Sequence, residues 1–384
     1  MSWPPSSLLE VRELDGRGRG LVAACDIAAG TPILCEAALA SANLVGCNTD
    51  QPWLVAAELA AVLLRGPADV LAQTDALEPR DLRAAMAILS PEEAAEVETA
   101  LAHLQSLTPD GCCDDVKRRL LHVVVRNALE LDRCQALCAR ASLINHSCTP
   151  NATFLAFRRT YDGALCCCIR AVEAICPGEE VCISYVADLA APVFERAAAL
   201  AHYHVNPVTR PCDAALEAWA PAAPPLGDER RAQLERELGA RNSAADEAWT
   251  AAQRGIGGDA AMQSAARTAL MGAAAHYAKL LQLASGNLGE SHALVLQARQ
   301  RLAHVMMLSG VQRSQANALP VWRAVLAATR MCVPKHWPAL LEPLRGATAA
   351  AKAAGDEEAA AAYKAETDAL LALLNPSCTD CTAG

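Results

Sequence analysis

The sequence predicts an α+β protein, and three observations along its 384 residues support that class. Short apolar runs separated by glycine turns occupy residues 8–39 and return at 139–186, which is typical of short strands joined by tight turns. Apolar residues at helical spacing fill about 50–126 between them. A second helical stretch runs to about residue 374. We therefore expect small β-sheets with a helical insert, followed by an all-α part.

Composition indicates a globular protein that works inside the cell. Hydrophobic residues make up 53% and charged residues 20%. No apolar run reaches the roughly 18 residues of a membrane span, and the first residues lack the basic start and apolar stretch of a secretory signal. We expect an intracellular protein of the cytoplasm or nucleus, with no membrane partner, whose 17 cysteines are thiols. The formal charge of −10 argues against direct nucleic-acid binding, because phosphates require a basic surface.

The first β region reads as LLEVREL, LVAACDI and AAGTPILCEA, with DGRGRG as the first turn. In the helical insert, Ser90-Pro91-Glu92-Glu93 predicts a helix that begins at Pro91: Ser90 is the N-cap and Glu93 the third helical residue. The second β region contains ATFLAF, ALCCCIRAV and EVCISY. Cys166, Cys167 and Cys168 would alternate faces of a strand, so they cannot all bind one metal and are expected as apolar filling.

The C-terminal half is predicted to be helical. Residues 213–228 are rich in proline and are expected to be a linker. Residues 229–375 are rich in Ala, Leu, Glu, Arg and Gln, and paired helices of this spacing resemble a short tetratricopeptide-like array. Residues 376–384 are expected to form a frayed tail.

The stretch LINHSCTPN, residues 143–151, contains several reactive side-chain types. His146 and Cys148 could be a Cys/His catalytic pair, but such pairs usually need a third group from a distant segment, and none is identifiable. They could be metal ligands, although a structural zinc site needs about four. In a third interpretation, His146 and Asn145 satisfy backbone groups in a turn before Pro150.

Four motifs occur in order: GRGRGLVAACDIAAGTPILCEA, RNALEL, LINHSCTPN and PGEEVCISY. Together they resemble the SET-domain lysine methyltransferases, in particular the branch that includes the SET-and-MYND family. The resemblance covers about residues 8–212, and the SET domain is placed at 1–212. The helical part resembles that family's helical-repeat domain more loosely.

The resemblance implies a SET-domain β-fold of small sheets with a threaded pseudoknot, in which the segment holding Asn145 and His146 lies beside the segment carrying Tyr185. It implies that S-adenosylmethionine binds on one side and a protein lysine enters from the other. The implied cofactor-binding residues are Arg17, Gly18, Arg19, Asn127, Asn145, His146 and Tyr185. None of these residues needs to titrate.

Tyr185 is the catalytic residue that the resemblance implies, with its hydroxyl aligning the lysine amine. That amine must lose a proton before it attacks, and desolvation next to a cationic sulfonium lowers its pKa. Tyr203 and Val205 are the implied walls of the lysine channel, although the family has an aromatic residue where Val205 stands.

Two departures from the family matter. The cysteine-dense MYND finger is missing, since only Cys47 lies between residues 40 and 110. In the segment after the SET core, 196–212, Pro207 and Thr209 replace two zinc-binding cysteines. Cys148 and Cys212 remain as metal candidates, and two cysteines cannot close the standard site. Cys378 and Cys381, a CxxC in the tail, could fold back to complete four thiolates. Zinc is therefore not expected.

The leading hypothesis is S-adenosylmethionine-dependent methylation of a lysine in a protein substrate, histone or otherwise. The alternative is a SET-like binding protein, weak or inactive as a catalyst, that recruits protein partners through its helical C-terminal domain. A third hypothesis is a cysteine hydrolase that uses Cys148.

Overall fold

The computed structural model describes residues 8–44, 51–108, 112–218, 228–255, 260–285, 287–309 and 311–375. They fall into two compact units. The first consists of the described residues within Met1–Ala187, Ala197–Pro207 and Leu374–Gly384, and the second of those within Asp188–Arg196 and Val208–Leu373.

The first unit is built on short strands. They are β1 Leu9–Leu14, β2 Gly18–Ala23, β3 Pro32–Ala37, β4 Ala40–Asn43, β5 Leu129–Leu131, β6 Cys134–Leu137, β7 Asn145–His146, β8 Ala152–Arg158, β9 Leu165–Ala171 and β10 Cys182–Ile183. They form four small sheets: the hairpin β1-β2, the pair β10-β7, and the three-stranded sheets β3-β9-β8 and β4-β6-β5. Only β7 and β10 run parallel, with Asn145 opposite Cys182 and His146 opposite Ile183.

The apolar core of these sheets lies between their inner faces. Leu21, Ile144, Ile169 and Ile183 are almost fully buried there. Cys167 belongs to this core, whereas Cys168 packs with another group on the opposite face. The expected alternation of the three cysteines along β9 is therefore confirmed, because successive strand residues point to opposite faces.

Five α-helices and a short 3-10 helix, Thr74–Ala76, lie between the β regions in the described part of the chain. The α-helices are α1 Pro52–Arg65, α2 Ala68–Gln73, α3 Leu82–Ala87, α4 Pro91–Leu107 and α5 Asp114–Asn127. The predicted start of α4 is confirmed: Ser90 Oγ accepts the Glu93 N–H at 3.1 Å, and the Glu93 carboxylate accepts the Ser90 N–H at 2.8 Å. Trp53, Leu59, Leu104 and Leu121 form a second core among these helices. This core includes Leu137 of β6, so the insert packs against the sheet β4-β6-β5.

Helices make up nearly all of the remaining described chain. They are α6 Val193–Leu200, α7 Asp213–Leu216, α8 Asp228–Gly255, α9 Ala260–Ala284, α10 Ala293–Leu308, α11 Gln312–Asn317, α12 Leu319–Cys332, α13 Leu341–Ala354 and α14 Glu357–Leu374. In the second unit, Trp322 of α12 is buried, and a Cβ at Gly346 of α13 would collide with its indole ring. A glycine therefore lets α13 approach α12 closely. No helix in the described ranges is long and apolar enough to cross a membrane.

Where the sequence predicted a linker from residue 213, the structure has the helix α7. Asp213 is buried, and its carboxylate accepts hydrogen bonds from Arg196 at 2.6 Å and Arg210 at 2.8 Å. This charge pairing fixes residues 210–216, whereas most of the proline-rich stretch, 219–227, lies outside the described residues.

Candidate functional site

The strands β7 and β10 hold the centre of the candidate site. His146 Nδ1 accepts the backbone N–H of Tyr185 at 3.0 Å, so the neutral imidazole carries its proton on Nε2. Nε2 lies 3.2 Å from Cys148 Sγ. Because that nitrogen carries the proton, the neutral His146 is not placed to accept a proton from Cys148. His146 instead fixes the course of the chain beside Tyr185.

Glu180 connects the first turn to β7. Its carboxylate is 2.8 Å from Arg17 Nη1 and accepts a hydrogen bond from Asn145 Nδ2 at 2.8 Å. Arg17 Nη2 donates to the His146 carbonyl at 2.6 Å. A Cβ on Gly20 would lie 2.8 Å from Glu180 Oε1 and 3.0 Å from Asn145 Nδ2, so only glycine leaves room for this arrangement.

The turn between β1 and β2 presents Arg17. Gly16 and Gly18 both have φ of +67°, a left-handed conformation that favours glycine. The Arg17 N–H donates to the Leu14 carbonyl at 3.1 Å, which closes the turn. Two glycines therefore place one arginine over the end of β7.

Arg19 and Asn127 meet at the same short segment. Arg19 Nη2 contacts the Glu78 carboxylate at 3.1 Å and the Ala76 carbonyl at 2.5 Å. Asn127 Nδ2 donates to the Glu78 carbonyl at 2.5 Å and to the Val123 carbonyl at 2.8 Å. Both of its N–H groups are therefore used, and its amide oxygen is the group that could face a ligand. Arg19 Nε is buried and has no partner among the described residues.

Tyr185 follows β10 and packs against Tyr203, with ring centroids 4.8 Å apart. The Tyr185 hydroxyl donates to the Ile144 carbonyl at 2.7 Å. Burial raises the pKa of Tyr185 well above its usual range, and Tyr203 and Cys182 add to the effect. Burial also raises the pKa of Tyr203. Both phenols are neutral at physiological pH and act as hydrogen-bonding groups.

Val205 is two residues beyond Tyr203, and its N–H donates to the Leu200 carbonyl at 3.4 Å. His204 between them has a left-handed φ of 56°. The structure thus brings Tyr203, but not the Val205 backbone hydrogen bond, to Tyr185.

The metal candidates divide between the units. Cys148 is buried in the first unit, whereas Cys212 lies in the second, where it packs beside Cys332. Within the described ranges, no three or more His, Cys, Asp or Glu side chains form a group that could hold a metal. Cys378 and Cys381 lie outside the described residues.

Three residues that sequence reasoning did not assign hold the site together. Glu180 is one. Asn151 Oδ1 accepts the Cys182 N–H at 2.9 Å, and its Nδ2 donates to the Glu180 carbonyl at 2.9 Å, which supports β10. Glu36 accepts the backbone N–H groups of residues 140 and 141 at 3.0 and 2.5 Å, just before β7. All three residues lie inside motifs that the sequence singled out, but the motifs alone do not show what these side chains contact.

A comparison with models of protein families identifies part of this chain. Residues 18–186 match the family model of the SET domain. This stretch of the chain is therefore a SET domain, and it includes Gly18, Arg19, Asn127, Asn145, His146 and Tyr185.

Among solved structures, the chain is similar to the one titled "Crystal structure of the SET domain of LSMT bound to Lysine and AdoHcy". The two share 14% identity over 96% of this chain and 87% of that chain, with a TM-score of 0.35. At that TM-score the likeness does not establish a common overall fold, so the assignment rests on the sequence match. No curated protein matches the chain.

Proposed function

We propose that this protein is an S-adenosylmethionine-dependent protein-lysine N-methyltransferase. The main observation in support is that β7, which holds Asn145 and His146, pairs with β10, the strand that leads to Tyr185. The ion pair of Arg17 and Glu180 lies next to them. This combination provides charged groups for a zwitterionic cofactor and an aromatic pair, Tyr185 and Tyr203, for a lysine side chain.

The residues present fit the cofactor. The Arg17 side chain is 42% exposed, so its guanidinium can exchange contacts and bind a carboxylate by charge-assisted hydrogen bonds. The Glu180 carboxylate and the Asn145 side chain are suited to the positively charged amino-acid end of the cofactor. Gly20 would let the cofactor approach the backbone closely, and the amide oxygen of Asn127 could accept a hydrogen bond from it. When bound, S-adenosylmethionine supplies a methyl group on a sulfonium, a good leaving group.

The acceptor would be a neutral lysine amine. Tyr185 and Tyr203 provide aromatic surface that removes water from the aliphatic lysine stem and disfavours the ammonium form. The Tyr185 hydroxyl, held by the Ile144 carbonyl, orients the amine toward the methyl group. Positioning is then the main contribution of this chain to the rate.

The direct test compares wild type with Tyr185→Phe in transfer of labelled methyl groups to histones and to lysine-bearing proteins. We expect at least about a 100-fold loss of transfer in the variant with cofactor binding retained. Tyr161→Phe is the matched control, since Tyr161 is 56% exposed. Cofactor binding by wild type without transfer to any lysine would contradict the proposal.

A second candidate function is recruitment of protein partners by the helical C-terminal residues 229–375, which we propose form a tetratricopeptide-like array. The observation in its favour is that Pro207 and Thr209 stand where the family's zinc motif has cysteines. In that case calorimetry should detect no cofactor binding. The full chain should bind a protein partner, and substitution of surface residues in 229–375 should abolish that binding.

The proposed site of action is the cytoplasm or nucleus, with a lysine-bearing protein or peptide as substrate.

A further inference from the structure

Two cysteines face each other on neighbouring strands of the first unit. β3 and β9 are antiparallel, and Cys35 pairs in register with Cys168. The Ala38 N–H donates to the Leu165 carbonyl at 2.9 Å, which makes that pair hydrogen-bonded. Hydrogen-bonded and non-hydrogen-bonded pairs alternate along an antiparallel ladder, so Cys35 and Cys168, three pairs further on, form a non-hydrogen-bonded pair.

That position suits a disulfide bond. Opposite residues in a non-hydrogen-bonded pair have Cα atoms about 4.5 Å apart. Disulfides span Cα separations of roughly 4.4 to 6.8 Å. The two side chains leave the sheet on the same face, where they pack against Leu155 and Phe157. A bond between the sulfurs therefore needs no change in strand register.

The surroundings distinguish the two thiols. Cys168 is fully buried, whereas Cys35 retains 8% exposure and is the one a small oxidant can reach. A hydrogen bond from Cys35 lowers the pKa of Cys168 and outweighs the opposing effect of burial, and Arg170 on the same strand face adds to the lowering. Cys168 is therefore the better nucleophile of the pair.

A neighbouring thiol pair has the opposite character. Cys167 faces the core with Cys138, and both are fully buried. The hydrogen bond with Cys138, together with burial, raises the pKa of Cys167 well above its usual range. This pair provides an internal control within the same strand.

We propose that Cys35 and Cys168 are a redox modification site, at which a peroxide converts the two thiols into a cross-strand disulfide. The Cys35 sulfur attacks one oxygen of hydrogen peroxide, the O–O bond breaks, and a sulfenic acid and one water form. Cys35 reacts first because it is the thiol that the peroxide can reach, and the better nucleophile, Cys168, acts in the second step. The Cys168 thiolate attacks the Cys35 sulfur and displaces hydroxide, which takes up the proton released from Cys168 and leaves as the second water. Two thiols lose two electrons and the peroxide gains them.

The test treats the reduced full-length protein with hydrogen peroxide, blocks remaining thiols with N-ethylmaleimide in denaturant, and maps the digested peptides. We expect a linked peptide joining Cys35 to Cys168 to form first. In Cys168→Ser the linked peptide should be lost, and dimedone should label Cys35 as a sulfenic acid. Cys35→Ser gives the same loss of linked peptide and replaces that variant if it does not fold.

Cys167→Ser is the matched control, and it should form the Cys35–Cys168 bond as fast as wild type. Because the experiment detects the cysteines directly, its result does not depend on whether the protein transfers methyl groups. A linked peptide joining Cys138 to Cys167 instead, or N-ethylmaleimide labelling of both Cys35 and Cys168 after excess peroxide, would overturn the proposal.

Discussion

Arg17 and Glu180 form an ion pair, with 2.8 Å between Arg17 Nη1 and Glu180 Oε2, which joins the first β-turn to the segment that enters β10. The same carboxylate holds Asn145, and the same guanidinium holds the His146 carbonyl. In this arrangement the Glu180 carboxylate is already paired with the Arg17 guanidinium. A ligand carboxylate that binds Arg17 must therefore compete with Glu180.

The first prediction is that Arg17→Met weakens binding of S-adenosylhomocysteine by about 10-fold or more, since a hydrogen bond to a charged group contributes about 1.5–3 kcal/mol. Binding of 5′-methylthioadenosine, which lacks the amino-acid end, should change less than about twofold. Calorimetry with both ligands measures the difference. Arg12→Gln is the matched control, because the Arg12 side chain lies on β1 and pairs with that of exposed Glu10. Equal loss for both ligands would show that Arg17 supports the fold instead.

The second prediction concerns Gly20. In Gly20→Ala the new methyl group would lie 2.5 Å from Leu14 Cδ1. It would also meet the carboxylate of Glu180 and the amide of Asn145, which are hydrogen-bonded to each other. We expect a loss of about 1–3 kcal/mol in unfolding free energy and weaker cofactor binding. Gly239→Ala is the control: it lies in α8 with open space around it, and should stabilise by about 0.5–1 kcal/mol. Urea unfolding measures the stability of both variants, and calorimetry measures cofactor binding. Unchanged stability and binding in Gly20→Ala would show that the added methyl group causes no clash.

The sequence predicts local structure correctly where residues close together in the chain determine it. The Ser90 cap needs only Ser90, Pro91 and Glu93, and the alternation of Cys167 and Cys168 needs only the strand period. The motif LINHSCTPN also led to the strand that pairs with β10, although that step required resemblance to a known family.

Long-range charge pairing was not predictable. Nothing in the sequence tells which carboxylate meets Arg17, and Glu180 lies 163 positions away (180 − 17). Asp213 was placed in a linker because prolines follow it, yet two arginines bury it. The proline content of the segment predicts a linker, whereas the buried carboxylate of Asp213 holds residues 210–216 in place.

The third prediction tests that buried charge. Burial alone would raise the pKa of Asp213, but hydrogen bonds from Arg210 outweigh it and lower the pKa. Asp213→Asn leaves Arg196 and Arg210 buried without a carboxylate, and should cost about 3–5 kcal/mol. Asp132→Asn, which breaks an exposed pair with Arg158, should cost less than about 1 kcal/mol. Denaturant unfolding of both variants checks this, and similar losses would contradict it.

The fourth prediction is a pH dependence that originates at His122. This residue of α5 is fully buried, packs edge-on against Trp53 at 4.9 Å, and has no hydrogen-bond partner for either ring nitrogen among the described residues. Burial, with repulsion from Arg126 and His204, lowers its pKa from 6.5 to about 4. The folded protein therefore holds the neutral imidazole.

Between pH 6.5 and 4 the unfolded chain binds the proton and the folded chain does not, so unfolding free energy falls as the pH falls through that window. The lowered pKa corresponds to about 3 kcal/mol of lost stability at the acid end. His122→Phe keeps the contact with Trp53 and removes the titrating group, so its unfolding free energy should depend less on pH between 6.5 and 4. Above pH 7 the two proteins should vary in parallel. Urea unfolding across pH 4–8 measures both curves, and equal slopes below pH 6.5 would assign the acid sensitivity to other groups.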